Sequence, residues 1–260
     1  MADRTSLTSE RLSSISEHYG SDYKSFLTGL VGTLFGIFDR PNARGPSGRS
    51  DLNSAVNEQL TTRYALVSSR IEMHTSIATI AGLELGQALS GNASFSLDET
   101  QIEEIQALVG ESADEVLKEF AAISSRDANR VRAAWRKFAL DSYLLQPRYC
   151  VTSNLHARQW KIGELKFKQT DSAGHSWNSA LMIQTIVRLH LLRTEVEVAL
   201  YVLSRAGADT ITVSWPTVDG KQDLQFSMSG ANPKIPSYID IRESIFHPNS
   251  TARIVHAAPL

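Results

Sequence analysis

A chain of 260 residues, 42% of them hydrophobic, is long enough to bury one large core or two small ones. Its formal charge of -2 and isoelectric point near 6.4 exclude a global pull towards nucleic acid or acidic membranes, so any electrostatic partner must be met by a local patch. One cysteine, Cys150, excludes an intramolecular disulfide framework and a multi-cysteine zinc site, and points to a reducing compartment.

Residues 1–25 are polar and mixed in charge, without the basic-then-apolar order of a signal peptide, so an intracellular or cytoplasmic particle is the expected setting. A short first helix is expected over residues 8–19, with Leu12, Ile15 and Tyr19 at helical spacing, ending before Gly20 and followed by a helix that Asp22 can cap. The most apolar run, residues 26–38, is shorter than the roughly 20 residues a bilayer span needs and reads as a buried helix, so no transmembrane segment is expected. Residues 39–49 carry prolines, glycines and three arginines and read as a wet basic loop, with contact to phosphate through Arg40 to Arg49 as the functional alternative.

The stretch 50–90 dominates the chain. Leu52, Val56, Leu60, Tyr64, Val67, Ile71, Ile77, Ala81, Leu85 and Ala88 recur three or four apart for the most part, which is one face of a single long amphipathic helix closed by Gly91-Asn92. Such a helix would run about 60 Å at 1.5 Å per residue, more than one compact domain of this size needs, so part of its face is expected to meet other helices or other subunits. Two stripes of small residues support this. Gly32 and Gly36 lie one above the other on the second helix, and Ala78, Gly82 and Gly86 fall at four-residue steps on the long one. The stripes are expected to face each other, or copies of themselves in an oligomer.

Beyond Gly91, one helix is expected from Asp98 with Ile102, Ile105 and Leu108, and another from Ser112-Ala113-Asp114-Glu115, which has capping-box spacing. A third begins near Asp127 and stops before Pro147, with Val131, Trp135, Phe138 and Leu145 on its face. Alternating positions over residues 149–155 and 160–168 predict a hairpin. Residues 176–206 predict a helix ending near Gly207, although Val196, Val198, Leu200 and Val202 alternate as a strand would. Residues 210–215 predict a strand, and Asp219-Gly220 a tight turn into Leu224, Phe226 and Met228. Past Gly230 the periodicity fades and prolines cluster, so an extended C-terminal arm is expected. The fold class is therefore α+β, mainly α: a helical bundle over 1–146, an α+β part over 147–230 with two hairpins flanking a long helix, and the arm over 231–260.

Charge is the most informative functional pattern. Asp98, Glu99, Glu103, Glu104, Glu111, Asp114, Glu115 and Glu119 form an acidic block, and a basic block follows over residues 126–168. These blocks can steer one subunit onto the next. The first functional reading is accordingly a non-enzymatic structural protein, a subunit of a large homo-oligomeric particle such as a virion component. A second reading uses Arg130, Arg132, Arg136, Lys137, Arg148, Arg158, Trp160, Lys161, Lys166 and Lys168 to bind nucleic acid, with Tyr149, Trp160 and Phe167 interleaved among the cations as stacking surfaces. A third reading is a hydrolase or transferase, using Cys150 with His156 or His175, or Glu195 paired with Glu197, a pair that survives only on a strand. Histidines 156, 175 and 190 lack tight ligand spacing, and no phosphate loop, dinucleotide fingerprint or nucleophile elbow is present, so no metal, cofactor or small-molecule ligand is inferred.

Overall fold

The computed structural model describes residues 7–38, 40, 45–91, 96–144, 165–171, 173–218, 220–230 and 232–259. Four long helices dominate: α1 (Ser9–Phe38), α2 (Pro46–Leu89), α3 (Glu99–Leu144) and α4 (Ser179–Arg205). A two-stranded hairpin, β1 (Lys168–Thr170) and β2 (Ser176–Asn178), precedes α4. Strands β3 (Ala208–Thr217) and β4 (Gly220–Ser227), the short helix α5 (Tyr238–Ile245) and strand β5 (Arg253–Pro259) follow it. The protein is α+β and mainly α, and two hairpins do flank a long helix.

Several helices run through expected stops. α1 is continuous past Gly20, because Leu12, Tyr19, Tyr23, Phe26, Leu30, Leu34 and Ile37 form one buried stripe across that point. Gly20 serves close packing instead: a Cβ there would lie 3.2 Å from the Gln184 Oε1 and 3.3 Å from the Ala180 carbonyl of α4. α2 begins at Pro46, inside the stretch expected to be loop, since proline at the first helical position loses no hydrogen bond. It spans 44 residues and ends at Gly91, which takes the left-handed φ of 68°.

α3 is one helix of 46 residues where three were expected. Asp98 caps it, its Oδ1 accepting from the Gln101 N–H while the Gln101 side chain accepts from the Asp98 N–H. The second capping signal, at Ser112, is not used, because its hydroxyl bonds to His190 instead. The helix expected over residues 176–206 is present as α4, and the competing strand pattern of Val196, Val198, Leu200 and Val202 lies within it. From His190 to Leu203 that helix is buried on nearly every side, so its apolar residues need no amphipathic phase. The hairpin expected over residues 149–168 lies almost wholly outside the described residues.

Residues 231–260, expected to be an extended arm, build regular structure. Ser237 and Asp240 form a reciprocal capping box for α5. β5 then pairs antiparallel with β3, giving the sheet order β4-β3-β5. The helix and the strand here are only eight and seven residues long, which is why prolines at 233, 236 and 248 outweigh their patterns in the sequence.

The compact units cut across the expected blocks 1–146 and 147–230. One unit comprises Met1–Glu17, Arg70–Val116 and Thr185–Leu260, the other His18–Ser69 and Leu117–Gln184. In the first, α4 packs on α2: a Cβ on Gly82 would meet the Glu195 carbonyl at 2.5 Å, and one on Gly86 would meet the Val202 Cβ at 2.6 Å. The Ala78, Gly82, Gly86 stripe is therefore spent on α4, not on the Gly32 and Gly36 stripe, around which nothing lies within 4 Å. Leu7, fully buried, is held from both sides, its N–H donating to Glu195 and its carbonyl accepting from Arg253. In the second unit the core gathers Tyr23, Phe26, Leu30, Leu52, Val56, Phe120 and Val131, with Tyr23 and Phe120 edge to face at 5.7 Å.

Candidate nucleic-acid interface

Charge is divided between the two units in a way the near-neutral total conceals. The unit made of His18–Ser69 and Leu117–Gln184 carries 16 lysines and arginines against 9 aspartates and glutamates, a net +7. The other carries 10 against 19, a net -9. The basic segments total +7 in sequence, with Arg44, Arg148, Arg158 and Lys161 outside the described residues, and an excess of positive charge attracts polyanions.

Within the basic unit, the cations of α3 fall into two roles. Arg126 and Arg130 are structural. Arg126 Nε donates to Gln169 Oε1 at 2.8 Å, and Arg130 pairs with Asp127. Asp127, fully buried, also accepts from the Tyr23 hydroxyl and from Gln169 Nε2, both at 3.0 Å. Burial pushes both the Asp127 carboxyl and the Tyr23 hydroxyl above their usual ranges. This network ties α1, α3 and the β1 strand together, and Arg130 therefore leaves the set of candidate ligand residues.

Arg132 and Arg136, one turn apart, stand on the same side of α3 and open into a cleft of about 420 Å³. α2 supplies its other wall with Arg49, Asn53 and Asn57, and Asn129 and Trp135 of α3 complete it with Leu52. Among the described residues no carboxylate lines it. Arg132 is held in place by two asparagines, Nη1 donating to Asn129 Oδ1 at 2.8 Å and Nη2 to Asn57 Oδ1 at 2.7 Å. Each guanidinium has five N–H donors, so Arg132 keeps three for a ligand, and the two asparagine amides keep their NH2 groups. Arg49 and Arg136 are exposed and make no side-chain hydrogen bond or ion pair among the described residues. A fixed guanidinium flanked by two uncommitted ones suits bidentate contact with phosphate oxygens. Trp135 is 5% exposed, so its ring is core and not a stacking platform.

A second cleft of about 500 Å³ in the same unit is lined by Lys24, Lys166, Lys168 and Asn178, with Leu27 and the half-buried Phe167 beside them. It too has no acidic lining, and it places one aromatic ring among three ammonium groups. Lys137 is exposed on α3. Arg148, Arg158, Trp160 and Lys161 lie outside the described residues. Asn53, Asn57 and Lys24 carry no sequence signal of this role because they belong to other helices, whereas Arg49 lies in the basic stretch 40–49, whose functional alternative is phosphate contact. For Arg49, the Gly-Pro before it, read as loop, was in fact the helix-start signal.

The remaining candidates separate. Glu195 and Glu197 sit on α4 and diverge: Glu195 is buried against Leu7, and Glu197 pairs with Arg242 and accepts from the Tyr238 hydroxyl. They form no catalytic pair. His175 is exposed and closes the β1–β2 turn on Asp171, whose carboxyl is lowered chiefly by the Trp177 indole N–H. His190 is buried between Thr75 and Ser112, and Cys150 and His156 lie outside the described residues. Among the described residues no group of three or more histidine, cysteine or acidic side chains is placed to hold a metal ion, and no helix is long and apolar enough to cross a membrane. Compared with known proteins, the chain matches no family model, no curated protein and no solved structure at a significant level.

Proposed function

We propose that this chain is a non-enzymatic subunit of a homo-oligomeric particle that holds nucleic acid by its phosphate backbone. The observation that carries the reading is the carboxylate-free cleft of Arg49, Arg132 and Arg136 in a compact unit of net charge +7. On this reading its cationic and amide donors meet phosphate oxygens, so binding is expected to be indifferent to sequence and dominated by counterion release. The Lys24, Lys166 and Lys168 cleft extends the phosphate-binding surface, with Phe167 as a site for one stacked base.

Fluorescence anisotropy with labelled single-stranded and duplex oligonucleotides of equal length tests this across a salt series. Binding should weaken linearly in log–log form as salt rises. Arg49→Ala, Arg132→Ala and Arg136→Ala should each weaken it about equally on every sequence and reduce the salt slope by about 1. Absence of binding at low salt, or unchanged binding by the triple variant, would sink the nucleic-acid part of the reading.

The particle part rests on a separate observation. Helices of 44 and 46 residues leave large apolar side chains in water, Tyr64, Leu66, Met73 and Ile80 on α2 and Ile102, Leu108 and Leu140 on α3. Light scattering coupled to size exclusion, with absorbance read at 260 and 280 nm, distinguishes an empty assembly from one that carries nucleic acid. A monomer at every concentration would remove the particle from the proposal.

A further inference from the structure

The acidic unit presents a surface of its own. α2 and α3 leave between them a groove of about 410 Å³ whose apolar lining is Ile80, Leu83, Ile102, Ile105 and Val109. Ile80 and Ile102 are 51% and 44% exposed although their helices bury other faces in the core. Elsewhere on its exposed surface α3 carries Glu99, Glu103, Glu111, Asp114 and Glu115, none with a hydrogen bond or ion pair among the described residues, and Glu72 of α2 lines the groove itself. Glu104 differs, being committed to Tyr201 and Arg205 of α4. An apolar groove in a unit of net charge -9 calls for a partner with apolar contacts and positive charge.

The chain itself contains a surface of that kind, the +7 unit with Tyr64, Leu66 and Leu140 exposed among its arginines and lysines. We propose that the groove of one copy docks on the basic unit of a second copy, a heterologous contact between unlike surfaces. A two-fold contact of grooves would set a net -9 against a net -9, whereas the heterologous one sets -9 against +7. Such a contact leaves one unit unused at each end, so copies add in sequence until a ring closes or a filament grows. This inference rests on the particle reading and specifies how its copies meet.

The test uses two full-length variants. Ile80→Asp with Ile102→Asp disables the groove, and Arg132→Glu with Arg136→Glu disables the basic unit; all four sites are at the surface or partly exposed, and circular dichroism checks that each variant folds. Sedimentation velocity over a concentration series should show wild type growing beyond a dimer, with association weakened about tenfold or more between about 50 mM and about 500 mM salt. Each variant alone should lose self-association about tenfold or more, while an equimolar mixture should give a one-to-one dimer that grows no further, since each variant retains the face the other lacks. If the arginine variant assembles as wild type does, the partner surface is not the basic unit and the inference is overturned. If wild type assembles and the groove variant is unaffected, the particle reading stands and this contact falls. Wild type that stays monomeric removes both.

Discussion

His190 has both ring nitrogens engaged inside the protein, Nε2 with Thr75 Oγ1 at 2.8 Å and Nδ1 with Ser112 Oγ at 3.0 Å. A neutral imidazole donates at one nitrogen and accepts at the other, and two hydroxyls satisfy either tautomer. Burial brings its pKa down from the ordinary value to about 4. A base whose folded pKa is depressed contributes stability that is present above the unfolded value near 6.5 and lost as pH falls towards the folded one. Denaturant unfolding should therefore lose on the order of 3 kcal/mol through this residue between pH 7 and pH 4. His190→Asn should flatten that part of the profile, and an unchanged profile would show that the loss arises elsewhere. None of this was legible beforehand, because the two partners are 115 and 78 residues away in sequence and histidine spacing carries no trace of them. The fate of Glu195 and Glu197 was legible by contrast, since their divergence follows from helical geometry alone.

At the scale of elements, the sequence reading erred mainly by ending helices too soon. Glycine and serine at 20, 110 and 112 weigh against a helix by roughly 1 kcal/mol or less each, and a buried stripe on both sides of the interruption outweighs that. Which glycines are structural cannot be read from spacing, because the stripes at 32 and 36 and at 82 and 86 look alike in sequence. Their surroundings differ. Gly86→Ala would drive a Cβ to within 2.6 Å of Val202 and 2.9 Å of the Ala199 carbonyl and should cost about 1–3 kcal/mol. Gly32→Ala meets nothing within 4 Å and should stabilise by up to about 1 kcal/mol, raising the melting temperature by about 2–4 °C. Thermal melts of the two variants decide the point. If Gly32→Ala raises the melting temperature yet weakens self-association, the open stripe is a contact between copies as first expected.

For the whole molecule, the mainly helical class and the hairpin at Gly220 were legible, because long 3.6-residue periodicity and a φ of 126° at a turn glycine are local properties. The division into a +7 and a -9 unit was not, because each unit draws on segments far apart in the chain. Acidic and basic blocks of α3 gave a partial view of it: residues 99–116 belong to the acidic unit and residues 117–144 to the basic one.

The unit boundaries fall inside helices, between Glu17 and His18 in α1, between Ser69 and Arg70 in α2, between Val116 and Leu117 in α3 and between Gln184 and Thr185 in α4. Within each unit a helix keeps the side chains it buries at fixed angular positions. One alanine inserted after Ala78 would turn residues 79–89 by about 100° relative to residues 70–78. Ile71 and Thr75 would keep their burial while Gly82 and Gly86 left the side that α4 fills. Such an insertion should abolish cooperative unfolding, measured by denaturant titration, whereas alanine substituted for exposed Glu58 should leave it intact. A gene for this protein can therefore drift in spelling along its solvent faces but not in length within its helices, and length variation among descendants should be confined to the segments outside the four of them.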